Sequence, residues 1–293
     1  MKKINTRAIF TAGFALFGFA SIEQASAGSF TQQGETIGLA TGAPLPEGLY
    51  LIDIASYGNN RGSGYDSGLA VHTPVFAWST PWTLAGARVE VLTTPPQVIV
   101  GSSEPGNKSF LAAFYNPYAS VALAWDLGGG FSFTNYLGVY FPIGNELNQN
   151  FWVFNERAAV SYTANGWNLT AYTVTGLTGT DAQGQRTAPD YFNFDLTATK
   201  TFGKYIFGGG AFGSFDLSGT SSPTYKRQSQ FALAILAGYD FGSFTGQLYL
   251  SHDVANNNYL DSNGHEVFET RLWAHLIVPI WVAPKPTVVA AKY

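Results

Sequence analysis

The chain has 293 residues, of which only 12% are charged and 16% aromatic, with 33 glycines and a formal net charge of −4. Charge at about half the share usual in soluble proteins cannot cover a water-facing surface, and no basic stripe offers a nucleic acid a partner. No apolar run beyond the N-terminus is long enough for a membrane-spanning helix, which excludes a helical membrane protein as well.

The first element in chain order is a leader. Lys2, Lys3 and Arg7 form a positive region, Ala8 to Ala20 an apolar one, and Ala25-Ser26-Ala27 supplies the small residues of a cleavage site. This predicts a signal peptide over 1–27 and a mature chain starting near Gly28. Residues 28–46 then either hang in the periplasm or enter the fold as a partial plug. The chain has no Cys, so no disulfide framework supports the exported protein.

From residue 47 onward the apolar pattern has period 2. Phe192, Phe194, Leu196 and Ala198 alternate with Asn193, Asp195, Thr197 and Thr199, and the run Phe268 to Ile280 alternates with Glu269, Arg271, Trp273 and His275. Such runs predict about 12 strands, within a range of about 10 to 14, each near the length of a tilted membrane-crossing strand. The expected spans are 47–57, 68–79, 82–93, 111–126, 131–142, 151–163, 167–177, 190–201, 204–217, 227–240, 243–252 and 266–281. Short links at 80–81, 127–130, 164–166, 202–203 and 241–242 alternate with long ones at 58–67, 94–110, 144–150, 177–189, 218–226 and 253–265. This is the signature of an all-β, antiparallel, up-and-down transmembrane β-barrel over 47–281, located in the outer membrane, with long loops outside and tight turns in the periplasm. Closure is required because lipid leaves no partner for an open sheet edge. Residues 282–293 form a tail on the periplasmic side. Outer-membrane lipids and the barrel-assembly machinery are the expected partners.

Strand parity points Asp53, Arg88, Glu90, Asp126, Arg157, Asp195, Asp216, Glu269, Arg271 and His275 into the lumen. They read either as a solute pathway or as a network of paired charges, with Arg88 near Glu90 and Glu269 near Arg271 favouring pairing. Trp273, Tyr249, Tyr136 and Tyr140 are the candidate inward aromatics. Tyr50, Trp82, Trp125, Phe131, Phe141, Trp152, Phe154, Trp167, Tyr191, Tyr205, Phe215, Phe231 and Tyr239 fall near strand ends, where girdle rings belong. Gly208, Gly210 and Gly213 spell G-x-G-x-x-G, but no helix follows to receive a phosphate. Within a strand, Gly208 and Gly210 face the lumen and either ease curvature or widen the passage. His252-Asp253 could imitate the acid–imidazole pair of a rim hydrolase, although a polar loop accounts for it as well. Asp261, Asn263 and Glu266 lack the spacing of a calcium loop. No cofactor, metal or enzymatic activity is expected.

The segments "PLPEGLYLIDIASYG", "NPYASVALAWDLGGGFSFTNYLGVYFPIG", "GWNLTAYTVTG", "DYFNFDLTATKTFGKYIFGGGAFGSFDLSG" and "LIVPIW" resemble the outer-membrane family associated with the meta-pathway of phenol degradation. The resemblance covers most of the mature chain and implies an outer-membrane barrel tied to passage of aromatic or other hydrophobic small molecules. The expected function is therefore a channel passing small, hydrophobic or aromatic solutes without energy input. The alternatives are a plugged structural or surface-interaction barrel and, third, a hydrolase using the His252-Asp253 rim.

Overall fold

The computed structural model describes residues 29–62, 65–104, 107–144, 147, 149–260 and 266–284; residues 1–27, read above as a leader, and residues 285–293 of the expected tail lie outside them. The described chain is a closed, antiparallel barrel of 12 strand positions. Its strands are β1 (Gly48–Gly62), β2 (Tyr65–Leu84), β3 (Ala87–Thr94), β4 (Gln97–Glu104), β5 (Asn107–Phe114), β6 (Tyr118–Gly128), β7 (Phe131–Tyr140), β8 (Val153–Tyr162), β9 (Trp167–Thr178), β10 (Tyr191–Phe202), β11 (Tyr205–Asp216), β12 (Ser229–Asp240), β13 (Thr245–Asn257) and β14 (Glu269–Val282). Sequential neighbours pair around the wall, β3 pairs with β6, and β1 closes the ring by pairing with both β2 and β14.

Two expected links differ. The region 94–110, read as a loop, contains strands. Pro95 and Pro96 interrupt one strand and Asn116-Pro117 the next, because proline has no N–H to give the ladder. β4 and β5 thereby continue β3 and β6 upward as a hairpin, β4 pairing with the Asp66–His72 half of β2. The tight turn expected at 80–81 is instead a bulge inside β2, where the register slips between Ser79 and Thr83. Thr80 holds the bulge by donating to Val89 O at 2.8 Å and accepting from Trp82 N at 3.1 Å. The turn falls at Ala85-Gly86, with φ of 51° and 80°. Both residues being left-handed is the two-residue hairpin pattern that follows the twist of the strands.

The outer wall is apolar. On β11, Tyr205 and Phe207 near the turn end and Phe215 near the loop end are exposed, with small residues between. Trp78 and Trp82 pack edge-on at 5.2 Å near the turn end. Inside lie two aromatic-rich clusters. One includes Tyr118, Tyr140, Tyr172 and Tyr191; the other includes Phe212, Leu236, Tyr249 and Trp273. Tyr50 and Tyr191, read as girdle residues, are buried at 6% and 0% and point inward. Proximity to a strand end does not determine facing; parity does.

Asp53 corrects in the opposite sense. On β1 the buried residues are Tyr50, Ile54 and Ser56, so the even positions face the lumen and Asp53 faces outward. The expected parity failed because the lumen-side residues Ile52 and Ile54 are apolar, which a water-filled interior would not favour. Asp53 instead bonds His72 Nε2 at 2.6 Å on the outer wall. It sits five residues into β1, roughly 12 Å along the membrane normal at the usual strand rise and tilt. Asp53→Leu alone strands the imidazole on an apolar wall and is expected to cost roughly 1–3 kcal/mol. Asp53→Leu with His72→Leu is expected to restore stability, since both polar partners are then removed together. Urea unfolding in lipid vesicles checks both.

At the loop end, Asp190 pins the link between β9 and β10. It accepts from Arg186 Nη1 at 2.7 Å and Thr178 N at 2.8 Å. Partial burial opposes its ionisation, but these hydrogen bonds and the guanidinium outweigh it and hold the carboxyl below the ordinary aspartate value. A lowered value contributes stability that is complete above the unfolded pKa of about 3.9 and is lost as pH falls through the folded one. Hydrogen exchange over 179–189 is expected to quicken below about pH 4 in the wild type and to lose that pH step in Asp190→Asn.

Candidate functional site: a lumen threaded by the N-terminal segment

Residues 29–46 run through the inside of the barrel. The segment enters at the turn end beside Glu90, which accepts from Leu45 N at 2.8 Å, and reaches the loop half, where Asn193 Nδ2 donates to Ser29 Oγ at 2.8 Å. Its backbone advances by successive i to i+3 turns, such as Ile37 N to Gly34 O at 3.2 Å and Leu39 N to Thr36 O at 2.9 Å. Gly34 and Gly38 make those turns possible with φ of 84° and 91°. At Gly34 a side chain would also strike the Phe212 ring at 2.7 Å.

The wall holds the segment by side chains. Asp195 carries three of the bonds, from Gly34 N at 2.8 Å, Thr36 N at 3.1 Å and Thr36 Oγ1 at 2.7 Å. Tyr249 donates to Gly34 O at 2.7 Å, Thr197 Oγ1 accepts from Gly38 N at 3.0 Å, and Ser161 Oγ accepts from Gly42 N at 2.9 Å. Higher up, Thr31 Oγ1 donates to Asn155 Oδ1 at 2.9 Å and lies within 3.2 Å of the Tyr140 hydroxyl. Tyr136 donates to Thr41 O at 2.5 Å. Among the described residues, no backbone–backbone hydrogen bond joins residues 29–45 to a strand. The ladder of the wall is complete without the segment.

Gly210 answers what the glycines of β11 do. A Cβ there would strike the backbone carbonyl of Leu196 on β10 first, and then Cδ1 of the fully buried Ile37 at 2.6 Å. At Gly208 the obstacle is the backbone of Ala198 on β10. Both glycines let β10 and β11 approach, and Gly210 in addition leaves a socket for Ile37 of the N-terminal segment. Burying an isoleucine of this kind contributes roughly 1.5–3 kcal/mol.

The other candidates fall into three groups. Arg157 belongs with the segment: its guanidinium is 3.5 Å from Glu35, donates to Tyr172 at 3.1 Å and Tyr140 at 3.0 Å, and lies 3.9 Å over the Tyr118 ring. Glu269 and Arg271 pair with each other through two bonds of 2.6 Å, and Arg271 also donates to Ser56 Oγ at 3.0 Å. Trp273 stacks on Tyr249 at 5.1 Å, and His275 lies 3.3 Å from the Tyr249 hydroxyl. The rest lie at the ends. Arg88 and Glu90 do not pair with each other: Arg88 donates to Thr80 O at 2.8 Å and lies 3.8 Å from Glu47. Asp126 accepts from Gly128 N at 2.9 Å and caps a turn. Asp216 accepts from the Tyr225 hydroxyl and from Gln228 N at 2.7 Å, so it organises a loop. His252 and Asp253 do not meet. His252 contacts Thr270 Oγ1 at 2.8 Å on the outer face, whereas buried Asp253 accepts from Gln230 and Glu269 N inside.

Two spaces adjoin the segment. A vestibule of about 590 Å³ opens at the turn end, lined by Pro44, Pro46, Arg88, Asp126 and Ser132 among others. A small cavity of about 50 Å³ lies in the loop half, bounded by Phe30, Gln32, Glu35, Val71, Thr73 and Tyr115 among others. Sequence reasoning missed Thr31 and Glu35 of the segment and, on the wall, the segment's contacts Asn155, Ser161 and Thr197. The available signal was Gly34 and Gly38, two glycines four residues apart ahead of the first strand.

A closed transmembrane barrel with an N-terminal segment in its lumen is the class of protein defined here. The chain belongs to the family described as "Putative MetA-pathway of phenol degradation", which matches residues 52–267. No curated protein matches it. Among solved structures it is similar to the NanC porin, with 10% identity, 76% of this chain and 98% of that one covered, and a TM-score of 0.45. The CymD monoaromatic hydrocarbon channel matches at 9% identity over 81% and 89% of the two chains, with a TM-score of 0.44. Pseudomonas aeruginosa OprD matches at 8% identity over 81% and 98%, with a TM-score of 0.36.

Proposed function

We propose that this protein is a passive outer-membrane channel for small hydrophobic or aromatic solutes, exported by its leader and held closed by residues 29–46. The observation that carries the reading is the way the segment is held. It contributes no strand to the wall, and the bonds that retain it run through side chains such as Asp195, Thr197 and Ser161. Leaving the lumen therefore breaks no ladder bond and leaves the barrel closed on itself. The family's association with phenol degradation and the rings of Tyr118, Tyr140, Tyr172 and Trp273 in the lumen support an aromatic solute. External loops admit the solute, the inward rings hold it weakly, and release is toward the vestibule at the turn end.

Proteoliposome swelling tests the reading with two anions of one headgroup that lipid excludes. Benzenesulfonate is expected to enter at least as fast as methanesulfonate although it is larger. If neither enters even when Asp195→Ala frees the segment, the channel reading fails and a plugged structural barrel replaces it.

A further inference from the structure

We infer that Phe30 is a built-in occupant of an aromatic-solute site, so that a solute ring and the Phe30 ring compete for one slot. The inference rests on the channel reading and locates its binding site and its gate. Phe30 stands near the inner end of the described N-terminal segment, and its ring is 8% exposed. It is ringed by Tyr115 at 5.5 Å, Tyr140 at 6.0 Å and Phe151 at 5.4 Å, all tilted between 45° and 58°. Those centroid distances lie within the range at which aromatic rings attract, and the tilted rings surround Phe30 on three sides, so the slot is shaped for one six-membered ring.

The three walls come from separate places: Tyr115 from the break between β5 and β6, Tyr140 from the end of β7, and Phe151 from the loop ahead of β8. None of them needs Phe30 to hold its strand pairing. The adjoining cavity of about 50 Å³ is too small for a second ring, so a solute ring enters only where Phe30 now sits. Below Phe30, Thr31 through Gly42 remain tied to the wall by Asn155, Asp195, Thr197 and Ser161. Withdrawal of Phe30 is thus a local step that comes before release of the whole segment. A monocyclic aromatic in the slot removes one of the apolar contacts that keep the segment docked, which couples solute arrival to opening. Apparent affinity is lowered by the fraction of time Phe30 fills the site, a cost that truncating Phe30 removes.

The test uses 4-fluorophenol with the barrel in nanodiscs, followed by fluorine NMR against empty nanodiscs to subtract partition into lipid. Phe30→Ala is expected to bind roughly tenfold more tightly than the wild type, and Phe30→Ala with Phe151→Ala to lose that gain. In the wild type, saturating 4-fluorophenol is expected to speed hydrogen exchange over residues 29–33, which a merely structural phenylalanine would not show. Equal affinity in wild type and Phe30→Ala, or no saturable binding in either, overturns the inference. Benzenesulfonate swelling of the same preparations keeps the two levels apart. Flux without slot binding leaves the channel standing and removes the Phe30 site, whereas absence of flux from every variant removes the channel itself.

Discussion

Asp195→Ala is expected to raise solute flux through the reconstituted barrel by at least tenfold. Asp195 accepts three hydrogen bonds from Gly34 and Thr36 at 2.7–3.1 Å, and its carboxylate is 3% exposed. Hydrogen bonds to a charged group each contribute about 1.5–3 kcal/mol net, and 1.4 kcal/mol is a factor of ten in an equilibrium. The loss acts on the docked state alone, because a released segment donates those N–H groups to water. Asp195→Asn keeps the shape and part of the acceptor capacity, so its flux should fall between wild type and alanine. Swelling rates of the three proteins at equal incorporation check the order. An unchanged rate in Asp195→Ala would show that the segment does not limit passage.

The largest loss of stability is expected at Arg271. Arg271 is 2% exposed; its guanidinium makes two bonds to Glu269 and reaches along the wall over Gly58 of β1 to Ser56 Oγ and to Leu69 O on β2. Breaking a buried pair by removing one member typically costs 3–5 kcal/mol, since the remaining charge has neither water nor partner. Arg271→Met is therefore expected to destabilise by about that amount. Arg271→Met with Glu269→Gln should recover a substantial part, because no uncompensated charge remains. Urea midpoints of folded barrel in vesicles, read as the folded band on unboiled gels, provide the comparison. Flux through the surviving folded fraction should change little, since neither side chain bonds residues 29–46.

Much of the wall is legible in the sequence, because few folds other than a membrane barrel combine period-2 runs of membrane-crossing length with alternating short and long links. Barrel closure and the outward aromatic face of β11 follow from that pattern alone. The hairpin of β4 and β5 does not, because Pro95-Pro96 and Asn116-Pro117 are loop signals when read locally and become breaks in long strands only in the sheet. Facing is the second difficulty. Placing Asp53 inward assumes that polar means lumen, yet on β1 the lumen side carries Ile52 and Ile54, so Asp53 takes the outward place. The contacts of residues 29–46 were the least accessible part. Asn155, Ser161 and Thr197 are small polar residues on strands, indistinguishable in sequence from lumen residues that meet water, and nothing in the pattern of Asp195 or Tyr249 says that their partner is the N-terminal segment. Only the folded chain shows that a side chain at Gly210 would strike both the β10 backbone and Ile37.

If residues 29–46 close the lumen, tying them to the wall must abolish flux and freeing them must restore it. Because the chain has no Cys of its own, a single engineered bridge tests this cleanly. In Thr36→Cys with Asp195→Cys, at positions whose side chains now bond at 2.7 Å, a short thiol-reactive bis-alkylating crosslinker, or oxidation of the two thiols to a disulfide, ties the segment to β10. Solute flux is then measured before bridging, after it, and after reduction of the disulfide-bridged form. The reduced protein, lacking the Asp195 anchor, is expected to pass benzenesulfonate as Asp195→Ala does, the bridged protein to fall to the rate of empty vesicles, and reduction to restore flux. Flux that is the same in the bridged and reduced protein would show that residues 29–46 do not close the lumen.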